Sequence, residues 1–174
     1  LLYGLMLRSG NDAAVAIAEY ISGDVDSFAA LMNQEAAAMG ATRSHFVNPN
    51  GLPDENHYTC VYDMYLIFSN AIKNDTFVSI IGTTSYDVTY TDASGEAVTH
   101  TWENTNQYLT GNATTPDGFQ IVGGKTGTTG EAGYCLVLYS YNPSGQPIIS
   151  IVFKADGKSN LYLLMNEMLQ GFAI

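Results

Sequence analysis

The chain has 174 residues, enough for one domain with its own core, and 46% of them are hydrophobic. Its formal net charge of −11 excludes a nucleic-acid partner held through phosphates and disfavours electrostatic attachment to an anionic membrane. No apolar run approaches the roughly 20 residues of a membrane span. Charged residues are only 13% of the chain and tyrosines number 12, a balance that suits a secreted protein.

In chain order, the first elements read as helices. Leu1, Leu2, Leu5 and Met6 stand at helical spacing with no N-cap before them and no signal peptide. The expectation is a helix entered mid-pattern, in a chain whose natural beginning lies upstream. Arg8-Ser9-Gly10-Asn11 breaks that helix. Residues 12–21 form a second, apolar nearly all round, as expected of a helix in the middle of a domain. A third starts near Asp24, carries Phe28, Leu31, Met32, Ala36 and Met39 on one stripe, and stops at Gly40. Residues 41–58 are a loop dense in turn formers. An amphipathic helix over 60–73 and a short helix over 76–81 follow.

The period then changes. Residues 83–90 and 97–102 alternate about the turn Asp92-Ala93-Ser94-Gly95 and read as a β-hairpin. After a polar loop come three strands, over 119–126, 134–141 and 148–155. The last two are joined tightly through Asn142-Pro143-Ser144-Gly145 and are therefore antiparallel. Those two are almost continuously apolar, which implies a sheet covered on both faces. Residues 158–172 read as a closing helix with Leu161, Leu164, Met165, Met168 and Leu169 in register. The architecture is α+β, one domain over 1–174, mostly helical over 1–82, with hairpin, sheet strands and closing helix over 83–174.

Two short segments carry candidate chemistry. Gly123-Gly124-Lys125-Thr126-Gly127-Thr128-Thr129-Gly130 places one lysine among glycines, in a chain with only six lysines and arginines in all. A lysine and a hydroxyl on a strand edge, with glycines opening the backbone, suit a carboxylate. Ser9-Gly10-Asn11 opens the apolar second helix. Alone, each triplet is weak: the first reads as a solvated strand end, the second as a turn and N-cap. Cys60 and Cys135 fit two buried thiols, with a disulfide between them as the alternative, and no metal-ligand spacing surrounds them. His45 and His57 belong to loops and His100 to a strand surface. Asp54, Glu55 and Glu131 form no paired-carboxylate arrangement.

Together, in this order and context, the segments resemble the serine-type D-alanyl-D-alanine carboxypeptidases, the low-molecular-mass penicillin-binding proteins of peptidase family S11. The resemblance extends through Leu7-Arg8-Ser9-Gly10-Asn11-Asp12-Ala13-Ala14, His45-Phe46-Val47-Asn48-Pro49-Asn50-Gly51-Leu52, Asn104-Thr105-Asn106, and Ala132-Gly133-Tyr134-Cys135-Leu136. It implies a three-layer α/β/α, β-lactamase/transpeptidase-like fold with a helical subdomain, and a serine acyl-enzyme mechanism without cofactor or metal. It implies a peptidoglycan stem peptide ending in D-Ala-D-Ala as substrate, β-lactam antibiotics as ligands, and an extracytoplasmic location. Ser9, Asn11 and Lys125 are its catalytic candidates. Lys125, Thr126, Gly127 and Thr128 are its substrate-binding candidates, with the Thr128 N–H as an oxyanion donor and Ser9 as a proton relay between lysines.

One family motif is absent. The residues three before the four lysines are Asn70, Val122, Ile151 and Ala155, so the chain holds no Ser-x-x-Lys. The expectation is that the first sheet strands and the nucleophile helix precede this segment, that the chain alone is inactive, and that it associates with the missing piece or with itself through an uncovered sheet edge. Thr128 after Lys-Thr-Gly is more usual in transpeptidases and some β-lactamases. Those activities, or a non-catalytic wall-peptide-binding relative, remain alternatives.

Overall fold

A computed structural model describes residues 1–171. Helices α1 (Leu2–Arg8), α2 (Asn11–Ser22), α3 (Val25–Ala38), α4 (Val61–Ala71) and α5 (Asp75–Ile81) come first. They are followed by the hairpin β1 (Ser85–Thr91) and β2 (Ala97–Glu103). Strands β3 (Gln120–Thr129), β4 (Gly133–Tyr141) and β5 (Pro147–Ala155) and helix α6 (Lys158–Gly171) complete the order. Phe172, the expected last residue of that helix, lies outside the described residues.

Strands β3, β4 and β5 form one antiparallel sheet in that order, and β1 and β2 form a separate antiparallel pair. Successive side chains of β4 point to opposite faces, which explains its unbroken apolar run. Leu136 and Leu138 pack with Leu161, Met165 and Leu169 of α6. Val137 packs on the other face with Phe68 of α4 and Ile81 of α5. Helices therefore cover both faces, as the apolar pattern required. Each fully buried leucine there contributes about 1.5–3 kcal/mol of transfer free energy.

Three local expectations are corrected. Helix α2 is not enclosed: Ala13, Ala14 and Ala18 are buried, but Tyr20 is 90% and Ile21 55% exposed. Its small-residue face packs on α1 and α3, and no described element covers the opposite face. In α6, Tyr162 rather than Leu164 completes the buried stripe. Each i→i+4 step along Leu161, Met165 and Leu169 rotates by about 40°, toward Tyr162 and away from Leu164. Cys60 and Cys135 are free thiols and only half-buried, so no disulfide joins them and neither is a core residue.

Strand β3 runs three residues beyond its expected end and stays paired with β4 as far as Thr129 opposite Gly133. The glycine-rich segment is thus mostly strand. Gly123 and Gly124 are buried, and their missing side chains serve internal packing. A Cβ on Gly123 would lie 2.7 Å from the Ile81 backbone, and one on Gly124 would collide with the Val137 carbonyl oxygen. At Gly127 the nearest atom to such a Cβ is the Cys135 Cβ at 4.0 Å, so the strand lies open there.

This difference is measurable. Gly123→Ala and Gly124→Ala should each destabilise the fold by about 1–3 kcal/mol through forced backbone displacement. Gly130→Ala, with nothing within 4 Å, should stay within about 0.5 kcal/mol of the parent. Urea unfolding midpoints decide it.

Candidate functional site

The site forms where the α1–α2 corner meets strand β3. Ser9 terminates α1 in the left-handed region at φ 54°, ψ 44°, a conformation that costs a non-glycine residue about 1–2 kcal/mol. The Gly10 N–H donates to the Gly4 carbonyl at 3.1 Å, closing the corner. The α1 helix is itself seated by Trp102 of β2: a Cβ on Gly4 would stand 3.2 Å from its ring.

Lys125 extends from β3 to this corner. Its ammonium donates to Ser9 Oγ, across 116 residues of sequence, and to the Thr126 carbonyl at 2.7 Å. Burial of the ammonium lowers the Lys125 pKa from 10.5 to about 8. It remains mostly protonated at neutral pH, but its proton is far more mobile than that of a surface lysine.

Beside this contact, Thr126 Oγ1 lies 2.6 Å from Thr105 Oγ1. Thr105 belongs to the loop between β2 and β3, and buried amides fix its position. Asn104 Nδ2 donates to the Thr83 carbonyl at 2.9 Å, and Asn104 Oδ1 accepts from the Asn106 N–H at 2.9 Å. The Tyr162 hydroxyl of α6 accepts from the Gln107 N–H at 2.8 Å. A cleft of about 230 Å³ opens here, walled by Ser9, Thr105, Thr126, Gly127 and Thr128. Strand β3 pairs with β4 on one side only among the described residues, so its other edge carries unpaired peptide groups.

Of the residues predicted from sequence, Ser9, Lys125, Thr126, Gly127 and Thr128 come together. Asn11 starts α2 as an exposed residue and does not line the cleft. Sequence reasoning missed Thr105, Arg8 and Lys158 as cleft residues. Thr105 and Arg8 carried a weak signal, in the Asn104-Thr105-Asn106 triplet and in the flank of Ser9-Gly10-Asn11, and Lys158 carried none. The histidines are elsewhere. His57 Nδ1 accepts from the Val47 N–H at 3.1 Å, and burial lowers its pKa, so it serves the fold of its own loop. Among the described residues, no three His, Cys, Asp or Glu side chains cluster closely enough to hold a metal ion, and no helix is long and apolar enough to cross a membrane.

A lysine–serine pair thus stands at the mouth of a hydroxyl-lined cleft, beside an open strand edge of a sheet covered by helices on both faces. A profile of the D-alanyl-D-alanine carboxypeptidase family, peptidase S11, matches residues 1–157, and the chain belongs to that family. It is 35% identical to the D-alanyl-D-alanine carboxypeptidase DacF of Bacillus subtilis, over 97% of this chain and 41% of that protein. It is also 35% identical to a D-alanyl-D-alanine carboxypeptidase of Streptomyces sp. strain K15, over 100% of this chain and 60% of that protein. The crystal structure of the Streptomyces K15 DD-transpeptidase superposes with a TM-score of 0.86 at 32% identity, covering 99% of this chain and 66% of that one. The chain therefore spans 41% and 60% of the length of these two curated relatives.

The depressed Lys125 pKa sets a pH dependence. Between about pH 8 and 10.5 the unfolded chain binds the Lys125 proton more tightly than the folded one, so folding stability rises with pH in that window. Relative to Lys125→Met, the wild-type urea midpoint should climb as pH rises from 8 to 10.5 and run parallel below 8. Parallel curves throughout would show that the ammonium is not desolvated.

Proposed function

We propose that this chain is the substrate-holding part of a serine-type D-alanyl-D-alanine carboxypeptidase domain. The enzyme removes the terminal D-Ala of peptidoglycan stem peptides outside the cytoplasmic membrane. The observation that carries this proposal is the Lys125 ammonium on Ser9 Oγ at the mouth of the cleft, which joins two sequence motifs of the family in space. The serine nucleophile and its activating lysine come from outside these 174 residues, since no Ser-x-x-Lys occurs within them. Ser9 passes a proton toward the leaving amine, with Lys125 as its partner. Thr126 offers a hydroxyl to the substrate, and Gly127 lets its backbone approach the strand edge. Thr128 supplies a backbone N–H to the oxyanion. β-Lactams acylate the same serine.

Transpeptidation is the second reading. It is favoured by Thr128 directly after Lys-Thr-Gly and by the likeness to the Streptomyces K15 protein, which is described as a DD-transpeptidase.

At its natural length the protein should be labelled covalently by a fluorescent penicillin and should release D-alanine faster than it hydrolyses penicillin. The 174-residue chain alone should do neither. Ser9→Ala should lower D-alanine release by about 10²-fold or more. Labelling of the chain alone would overturn the placement of the nucleophile, and faster penicillin hydrolysis would make the protein a β-lactamase.

The same assignment bears on the isolated chain. Strand β5 has no partner on its outer edge among the described residues. Phe28, Leu31, Met32, Met39 and Met64 line an apolar groove involving α3 and α4. Such surfaces favour association. The isolated chain should form dimers or larger species in light scattering, and a monodisperse monomer would contradict this.

A further inference from the structure

We propose that the β1–β2 hairpin carries a saccharide subsite, built on the Tyr90–His100 ring pair, which takes the glycan end of a wall-linked substrate. The subsite deepens the proposed activity and rests on it for the identity of the ligand. Pairing within the hairpin sets Tyr86, Val88 and Tyr90 opposite Trp102, His100 and Val98, so these residues share one face and most of them are rings. On the other face Thr101 Oγ1 donates to Asp87 Oδ1 at 2.6 Å, and the Thr89 and Thr99 hydroxyls pair at 2.8 Å. Helix α1 covers only one end of the aromatic face. Tyr3 stacks on Tyr86 with ring centroids 3.9 Å apart, and Trp102 lies against Gly4. At the other end Tyr90 and His100 are exposed, their rings 19° from parallel with centroids 5.8 Å apart.

A groove of about 480 Å³ follows this end of the hairpin, lined by Arg8, Tyr90, His100, Thr101, Trp102 and Glu103. Arg8 also lines the cleft beside Ser9, so the two spaces adjoin. Arg8 and Glu103 are exposed and form no ion pair with each other among the described residues. One cation and one anion nearly cancel, so the groove selects no net charge. It offers a guanidinium donor, a carboxylate acceptor and a hydroxyl oxygen beside open ring faces. A pyranose matches that set, with an apolar C–H face for a ring and a rim of hydroxyls that both donate and accept. An aliphatic side chain would use the rings and leave the polar rim unmatched. The spacing fits as well. The Asn104 N–H donates to the Thr84 carbonyl at 2.8 Å, so β2 stays extended as far as Thr105 at the cleft. From Thr105 back to His100 is roughly 17 Å at about 3.3 Å per residue. In a peptidoglycan stem about four residues separate the scissile bond from the sugar, roughly 14 Å when extended, and the lactyl link adds a little more. A stem peptide lying along β2 brings its sugar to Tyr90 and His100.

The test compares D-alanine release from a free pentapeptide ending in D-Ala-D-Ala with release from the same pentapeptide linked to N-acetylglucosaminyl-N-acetylmuramic acid, using the protein at its natural length. The wild type should prefer the saccharide-linked substrate by about 10-fold in kcat/KM, the worth of one ring-stacked sugar. Tyr90→Ala should shrink the preference to about 2-fold and leave kcat/KM for the free pentapeptide within about 2-fold of wild type. His100→Ala should act in the same direction, and Tyr90→Phe should keep the preference, because the ring face is retained. Equal kcat/KM for the two substrates in the wild type overturns the proposal, as does a preference that survives both Tyr90→Ala and His100→Ala. Ligand-observed NMR with the disaccharide alone reports on the subsite without turnover. If no D-alanine is released from either substrate, disaccharide signals lost in Tyr90→Ala would leave the subsite standing while the proposed activity fails. No disaccharide binding by that wild type would overturn the subsite too.

Discussion

The contact between Lys125 and Ser9 is the constraint around which the site is arranged. It ties a helix corner near the start of the chain to an edge strand near its end, and each side is prepared for it. Ser9 sits in a backbone conformation that side chains avoid, held by the adjoining turn of α1. Lys125 is delivered by a strand that can lie against α5 and β4 only because Gly123 and Gly124 have no side chains. An ammonium drawn in between these elements loses water, and its pKa falls to about 8. A lysine so poised exchanges its proton near physiological pH, which a solvated one does not.

The surrounding structure keeps that contact in register. The β2–β3 loop would be free to move if it were held only by its ends. Instead Asn104 and Asn106 are buried, and Tyr162 anchors the loop from α6. The Tyr108 hydroxyl adds a second tie by donating to Asn166 Oδ1 at 2.7 Å. Helix α6 therefore does two things: its buried stripe covers one face of the sheet, and its first turn brings Lys158 to the cleft. The hairpin acts at longer range, since Trp102 fills the space that Gly4 leaves and so orients the helix ending at Ser9.

Much of this was legible in the sequence. The change from a helical to an alternating period located the hairpin, and the unbroken apolar runs of β4 and β5 announced a sheet buried on both faces. Ser9 and Lys125 were legible as candidates because their motifs occur in order on the right elements. Other features depended on distance through space. Gly123 and Gly124 looked like openings for a ligand, whereas their neighbours are Ile81 and the Val137 carbonyl. The apolar composition of α2 suggested enclosure, but composition does not say which elements arrive to cover a helix. Lys158 was invisible as a cleft residue, because a solvated cation at a helix end looks the same whether or not a cleft lies beside it.

The most direct test of the account is a double-mutant cycle between Ser9→Ala and Lys125→Met, read as unfolding free energy at neutral pH. A hydrogen bond from a partly desolvated ammonium predicts a coupling of about 1 kcal/mol or more between the two positions. Effects that add to within about 0.3 kcal/mol would contradict it and would mean that the two motifs share a neighbourhood without holding each other.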